Sequence, residues 1–242
     1  MDIPTVPLNS LAWVFGTVAL STLGYKSWRS WQKTKDPFTG YIAWFGLIIG
    51  LSLGIIGIPP FLTHDEKFIA TAFSTGLCLT FLALLVQSRV VWWLMLHNRI
   101  PFWPIGLVVG LAGLYASIQG FIHTYAIYVP NFVYYEQPRA ASLTLGIEAL
   151  VIFGATGLFF LRQVFRQPGL PAKLKSVSVG LTYTIVGSSV GINNIVNGHG
   201  ATPQSSVFNI IFFTVLFAGL MIPQIAAPVR IQKHQPPALP AE

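Results

Sequence analysis

Apolar residues fall along this chain in seven blocks, each near the roughly 20 residues that carry a helix across a bilayer core. The blocks run at about 9–27, 40–62, 68–88, 103–125, 141–162, 176–197 and 206–229, and all are rich in Leu, Ile, Val, Phe, Gly and Ala. Open sheet cannot satisfy its backbone groups in lipid, so the pattern predicts helices throughout. The expected fold is all-α, a polytopic membrane protein with seven transmembrane helices in one domain over residues 1–230. The last residues, 231–242, read as a short, Pro-rich, disordered cytoplasmic tail.

Composition supports the same class. Charged residues make up 9% of the 242 positions and hydrophobic ones 53%, where a soluble domain carries about 25% charged residues. The net charge of +7 does not point to nucleic acid, because the basic residues gather in short connections on one side of the blocks. Lys26, Arg29, Lys33 and Lys35 follow the first block; Arg89 and Arg99 flank the third connection; Arg162, Arg166, Lys173 and Lys175 follow the fifth; Arg230 and Lys233 follow the seventh. Only Lys67 and Arg139 fall on the other side. The positive-inside rule then places the N-terminus outside and the C-terminus in the cytoplasm, as expected in a cell membrane such as a bacterial inner membrane. The opening MDIPTVPLNS has Asp2 where a cleavable signal would have basic residues, so the first block is expected to be retained.

Glycine spacing suggests how the helices meet. Gly46, Gly50 and Gly54 recur every fourth residue in the second block, ahead of Gly57 and Pro59–Pro60. Gly106, Gly110 and Gly113 lie in the fourth block, and Gly187 and Gly191 in the sixth. Such stripes allow backbones to pack closely. The second, fourth and sixth blocks also share a Gly-Leu start and a histidine near the outer end, which suggests three helical hairpins followed by a seventh helix. Interfacial aromatics flank the blocks, with Tyr125, Tyr128, Tyr134 and Tyr135 in the connection after the fourth. The single cysteine, Cys78, excludes an intramolecular disulfide and is expected to pack as a small hydrophobe.

The candidate chemistry centres on the stretch Leu143–Phe165. Six of the seven acidic residues lie in tails or connections, but Glu148 sits about two turns inside this block. A carboxylate within a span costs roughly 2.5–3.5 kcal/mol on insertion scales, so it faces the protein interior and marks a functional position by default. Polar residues expected at similar depth are Gln119, Ser188, Ser189 and Asn193, with Asn194 somewhat nearer the outer surface; together they would line an outward-side ligand pocket with Glu148. A second constellation is His64, His123 and His199, a metal site only if the even-numbered helices are neighbours; no pair has the i, i+4 spacing that puts two ligands on one helical face.

No HExxH, GxSxG, Walker or dinucleotide motif occurs, so the expectation leans away from an enzyme and implies no cofactor. The seventh block lacks a lysine for a retinal Schiff base. In topology alone the chain resembles bacterial seven-helix sensor regions and small seven-helix sugar carriers; neither likeness carries residues over. The leading expectation is a membrane ligand-binding or sensory protein that signals to a cytoplasmic partner. A small-solute or proton-coupled transporter using Glu148, and a structural subunit of a membrane complex, are the alternatives. The expected partners are the lipid bilayer and a cytoplasmic or membrane protein, with no nucleic acid.

Overall fold

The computed structural model describes residues 7–96, 99–129 and 131–197. The expected seventh helix, the tail, His97 and His199 lie outside these residues. Helix α1 spans Leu8–Thr34 and α2 Pro37–Gly57, followed by the single turn α3, Pro59–Leu62. Then come α4, Glu66–Met95; α5, Trp103–His123; strands β1, Tyr125–Val129, and β2, Phe132–Glu136; α6, Arg139–Gln163; and α7, Leu170–Ile192, which ends in a π-helical turn at Asn193–Asn197.

Five of these segments are long and apolar enough to cross a membrane: Pro37–Leu62, Glu66–Met95, Trp103–His123, Arg139–Gln163 and Ala172–Val196. The chain is thus a helical membrane protein. Helix α1 is long enough, but Asn9, Ser10, Thr17, Ser21 and Thr22 dilute its apolar character. Between 22% and 44% of each spanning window is buried inside the fold. The outward faces are strongly apolar, as on α5, where Leu107, Val108, Leu111, Leu114, Ile118 and Ile122 are exposed. A soluble protein does not tolerate an apolar surface of that extent, and lipid is the solvent that does.

The turns follow local chemistry. Lys35 takes a left-handed backbone (φ 53°) to end α1. Asp36 then caps α2 by accepting hydrogen bonds from the Thr39 amide at 2.9 Å and the Thr39 hydroxyl at 2.7 Å, with Pro37 at the first helical position, where its missing N–H is harmless. Asp65 caps α4 in the same way, accepting from the amides of Lys67 and Phe68. The polar run His64-Asp65-Glu66 is therefore the start of a helix. Helix α4 continues through Gln87, Arg89 and Trp93 to Met95, so the first half of the connection after the third block is helix.

Helix α4 is the hub. It packs on α2, α5, α6 and β1, while α1 pairs with α2 and α7 with α6. The two outer pairs close through glycine. A Cβ added at Gly46 would lie 2.8 Å from the Gly24 Cα, and one at Gly24 would lie 2.6 Å from the Leu47 nitrogen. On α6, Gly146 meets Gly191 and Asn194, and Gly157 meets Gly180 and Thr184; Gly191 in turn meets Leu150, and Gly187 meets Phe153. The hydrophobic core runs along α4 through Ile69, Phe73, Leu77, Phe81 and Leu84 to Leu145, Ile152 and Phe153 of α6.

Three expectations need correction. The tyrosine-rich connection, expected as a loop between helices, is an antiparallel hairpin, with Tyr125 opposite Glu136 and Val129 opposite Phe132; the fold around it remains mostly helical. Tyr135 is not an interfacial anchor: it is buried and stacks on Phe73 with ring centroids 4.2 Å apart. A strand alternates its faces, and this face points at the helices. Cys78 is exposed, because it lies on the outward face of α4, opposite the face that Phe73, Leu77, Phe81 and Leu84 present to the core.

Asn9 holds the hairpin to the helices. Its side-chain amide donates to the Val133 carbonyl at 2.7 Å and its carbonyl accepts from the Val133 amide at 3.3 Å, so a fully buried side chain satisfies both backbone groups of one strand residue. The Leu8 amide donates to the Asn131 carbonyl alongside it. Asn9→Ala would orphan two buried backbone groups, at about 1–3 kcal/mol each for such a loss. It is expected to lower the thermal unfolding midpoint of the detergent-purified protein by several degrees. Gly46→Leu is expected to cost about 1–3 kcal/mol, the usual range for overpacking, and to separate α1 from α2. Cross-linking between cysteines introduced at Thr17 and Gly54, where an added Cβ meets Thr17 at an ordinary 3.4 Å, reads that separation directly.

Candidate functional site

Glu148 is buried in α6, 8% exposed, and neither of its carboxyl oxygens has a hydrogen-bond partner among the described residues. Helix geometry says which way it faces. Residues 146, 150, 153 and 157 of α6 meet α7. At 100° per residue, position 148 is about 160° around the helix from both 146 and 150. Leu145 and Ile152, three residues before and four after, are core residues. Glu148 thus points away from α7, on the side of α6 that packs on α4 and α5.

This separates residues expected to gather. Ser188, Ser189 and Asn193 are partly exposed and belong to α7 and its π turn, across α6 from the carboxyl. Asn194 is buried, but its amide donates to the Val190 carbonyl of its own helix at 2.9 Å. The Asn194 carbonyl accepts from the Ser142 hydroxyl at 2.6 Å, and the Ile195 carbonyl accepts from the Arg139 guanidinium at 2.6 Å. A helix end leaves carbonyls without intrahelical partners, and the first turn of α6 supplies two donors for them. Asn194 thus takes part in the α6–α7 seam. Gln119 is on α5, half-buried, and is the one expected lining residue on a helix that packs against the Glu148 side of α6.

The structure adds Gln87, at the end of the third block and two residues before Arg89, where the sequence alone carries no sign of its burial. With α4 continuing two turns further, Gln87 is fully buried. Its Nε2 donates to the Thr156 hydroxyl at 3.2 Å, and that hydroxyl donates to the Ile152 carbonyl at 2.8 Å. The Gln87 amide also lies beside the hydroxyl of Tyr183 on α7, while its Oε1 has no hydrogen-bond partner. Thr156 is eight residues from Glu148 along one side of α6, about 12 Å at 1.5 Å per residue. The interior where α4 and α6 meet therefore holds an unpartnered carboxyl on the hairpin side and an amide–hydroxyl pair two turns deeper.

The metal constellation does not assemble among the described residues. His64 meets Tyr128 edge-on with ring centroids 4.3 Å apart, and His123 ends α5. The helices of the second, fourth and sixth blocks do not form interfaces with one another; α4 and α6 stand between them. No group of three His, Cys, Asp or Glu able to hold a metal occurs among the described residues. Nearby Glu66 accepts from the Tyr128 amide at 3.0 Å, a structural contact that ties α4 to β1.

No protein-family model matches the chain, and no curated protein matches it in sequence.

Buried groups without partners predict unusual substitution effects. Glu148→Leu removes a buried carboxyl without a hydrogen-bond partner among the described residues and is expected to raise thermal stability, since burying an uncompensated polar group costs about 1–3 kcal/mol. A drop in the unfolding midpoint would mean that Glu148 is held by a structural bond. Thr156→Val is expected to cost about 1 kcal/mol by stripping the acceptor from Gln87. Outside the membrane-spanning segments, burial pushes the Tyr135 phenol above its ordinary range and its hydroxyl has no partner, so Tyr135→Phe is expected to leave stability unchanged or raise it.

Proposed function

We propose that this protein is a membrane ligand-binding protein, sensory in role, that receives a small cationic or hydrogen-bond-donating ligand at Glu148. The observation that supports this reading is the buried carboxyl with no partner of its own in the interior of an apolar fold. A group purely structural in role would have acquired a hydrogen bond, since a buried polar group without one is costly. Gln119 on α5 and the Gln87–Thr156 pair are the polar groups placed to extend such a site. The end of the bundle carrying Lys26, Arg29, Lys33, Arg162 and Arg166 is the surface through which a cytoplasmic partner would be engaged.

Thermal unfolding of the purified protein, titrated with sodium, potassium, ammonium and methylammonium chlorides against a choline chloride control, tests the ligand class. One of the four is expected to raise the wild-type midpoint by several degrees and to leave Glu148→Gln unmoved. Equal behaviour of the two proteins with every salt would overturn the assignment of Glu148. Recovery of a stable partner from mild detergent is expected for a sensor.

The same carboxyl favours a second reading, proton-coupled transport, because an acid in an apolar interior can carry a proton between two states. On that reading Glu148→Gln abolishes pH-dependent uptake in reconstituted vesicles, and uptake that survives the substitution excludes it.

A further inference from the structure

At the opposite end of α4 from the hairpin, Arg89 is set in a cage of rings. Its guanidinium carbon lies 4.4 Å from the ring centroid of Phe102, 4.7 Å from that of Trp92 and 5.8 Å from that of Tyr41. Its Nε donates to the Tyr41 hydroxyl at 3.4 Å. Trp92 is itself held, donating from its indole nitrogen to the Ile100 carbonyl and meeting Phe102 edge-on. No carboxylate pairs with Arg89 among the described residues, and its terminal nitrogens make no hydrogen bond to them. A guanidinium has five N–H donors, so most of its donating capacity is unused while its plane is fixed by the rings.

Beside it opens a cavity of about 370 Å³ lined by Tyr41, Leu85, Val86, Arg89 and Phe102. The lining is amphipathic along α4: Arg89 lies nearer the helix end, and Leu85 and Val86 about one turn further toward the middle of the span. The same end of the bundle carries Lys26, Arg29, Lys33, Lys35, Arg99, Arg162, Arg166 and Lys173. Its acid, Asp36, is engaged by Thr39.

We propose that this cavity binds an anionic glycerophospholipid, with the headgroup phosphate on Arg89 and the start of an acyl chain against Leu85 and Val86. Phosphate accepts parallel N–H bonds from a guanidinium, a match lysine does not make. The orientation by Phe102, Trp92 and Tyr41 holds that face ready before the lipid arrives. The surrounding basic residues raise the local concentration of anionic lipid, while the cavity supplies the place where one molecule is held. The apolar wall distinguishes a lipid from a soluble anion, which would leave Leu85 and Val86 uncovered.

The test uses the full chain in neutral detergent, with native mass spectrometry counting retained lipid after addition of phosphatidylglycerol or phosphatidylcholine. Phosphatidylcholine carries the same phosphate but adds a choline cation that the surrounding Lys and Arg repel, so wild type is expected to retain one phosphatidylglycerol in preference to phosphatidylcholine. Arg89→Ala is expected to weaken that retention about tenfold or more, and Lys67→Ala, an exposed cation at the hairpin end of α4, to leave it unchanged. Leu85→Trp keeps the cation but fills the cavity, and should lose the lipid as well. Equal retention of the two lipids, or undiminished retention in Arg89→Ala, would show that Arg89 is an interfacial anchor only and overturn the proposal. Inorganic phosphate added to the lipid-loaded protein separates the sources: displacement of phosphatidylglycerol by millimolar phosphate would assign the site to a soluble anion and overturn the lipid.

Discussion

Helices already surrounded by hydrocarbon gain little from burying apolar side chains against one another, so their association rests on close packing and on the few hydrogen bonds between them. The glycines supply the close packing here. Gly24 on Gly46 joins α1 to α2, and Gly146, Gly157, Gly180, Gly187 and Gly191 join α6 to α7. These two tight pairs flank α4, whose larger side chains fill the space between them. The bundle is therefore two glycine-closed seams around a helix with a bulky core face.

Hydrogen bonds between elements are few, and each does a defined task. Ser52 donates to the Gly76 carbonyl at 2.6 Å and shares a 2.8 Å contact with Thr80, joining α2 to α4. Ser74 reaches the Gly120 carbonyl of α5, and Ser142 and Arg139 take the carbonyls of the π turn. Asn9 holds β2, and Glu66 holds β1. Against this background Glu148 stands out. The other interior polar groups of α6, Ser142 and Thr156, have partners, and the carboxyl does not. Other buried polar atoms also lack partners, Gln87 Oε1 and the Tyr135 hydroxyl among them. Glu148 is the buried group among these whose carboxyl can carry a full charge, and that is the physical ground for reading it as a receiving group.

The two ends of α4 differ in kind. Near the hairpin the helix meets aromatic and polar groups that seal the fold, including the stack of Phe73 and Tyr135. At the basic end it carries a cation oriented by rings and open to an apolar cavity. A carboxyl inside the bundle and a guanidinium at its edge are separate places with complementary chemistry, and neither neutralises the other.

The sequence by itself determined the class. Hydrophobic blocks of spanning length, sparse charge and basic connections dictate a helical membrane protein, since only intrahelical bonding satisfies the backbone in lipid. It also singled out the glycine stripes and Glu148, because both are compositional exceptions visible without coordinates. The tertiary structure decided which residues face one another. Glu148 lies about 160° from the seam to α7, which sets it apart from Ser188, Ser189, Asn193 and Asn194, although depth along the chain had grouped them. Gln87 was hidden by the packing of α4 on α6, Tyr135 by a hairpin whose alternation turns it inward, and Arg89 by rings drawn from three parts of the chain. Depth follows from counting residues along one helix; facing depends on how several helices are rotated about their axes, and that rotation is set by packing between segments distant in sequence.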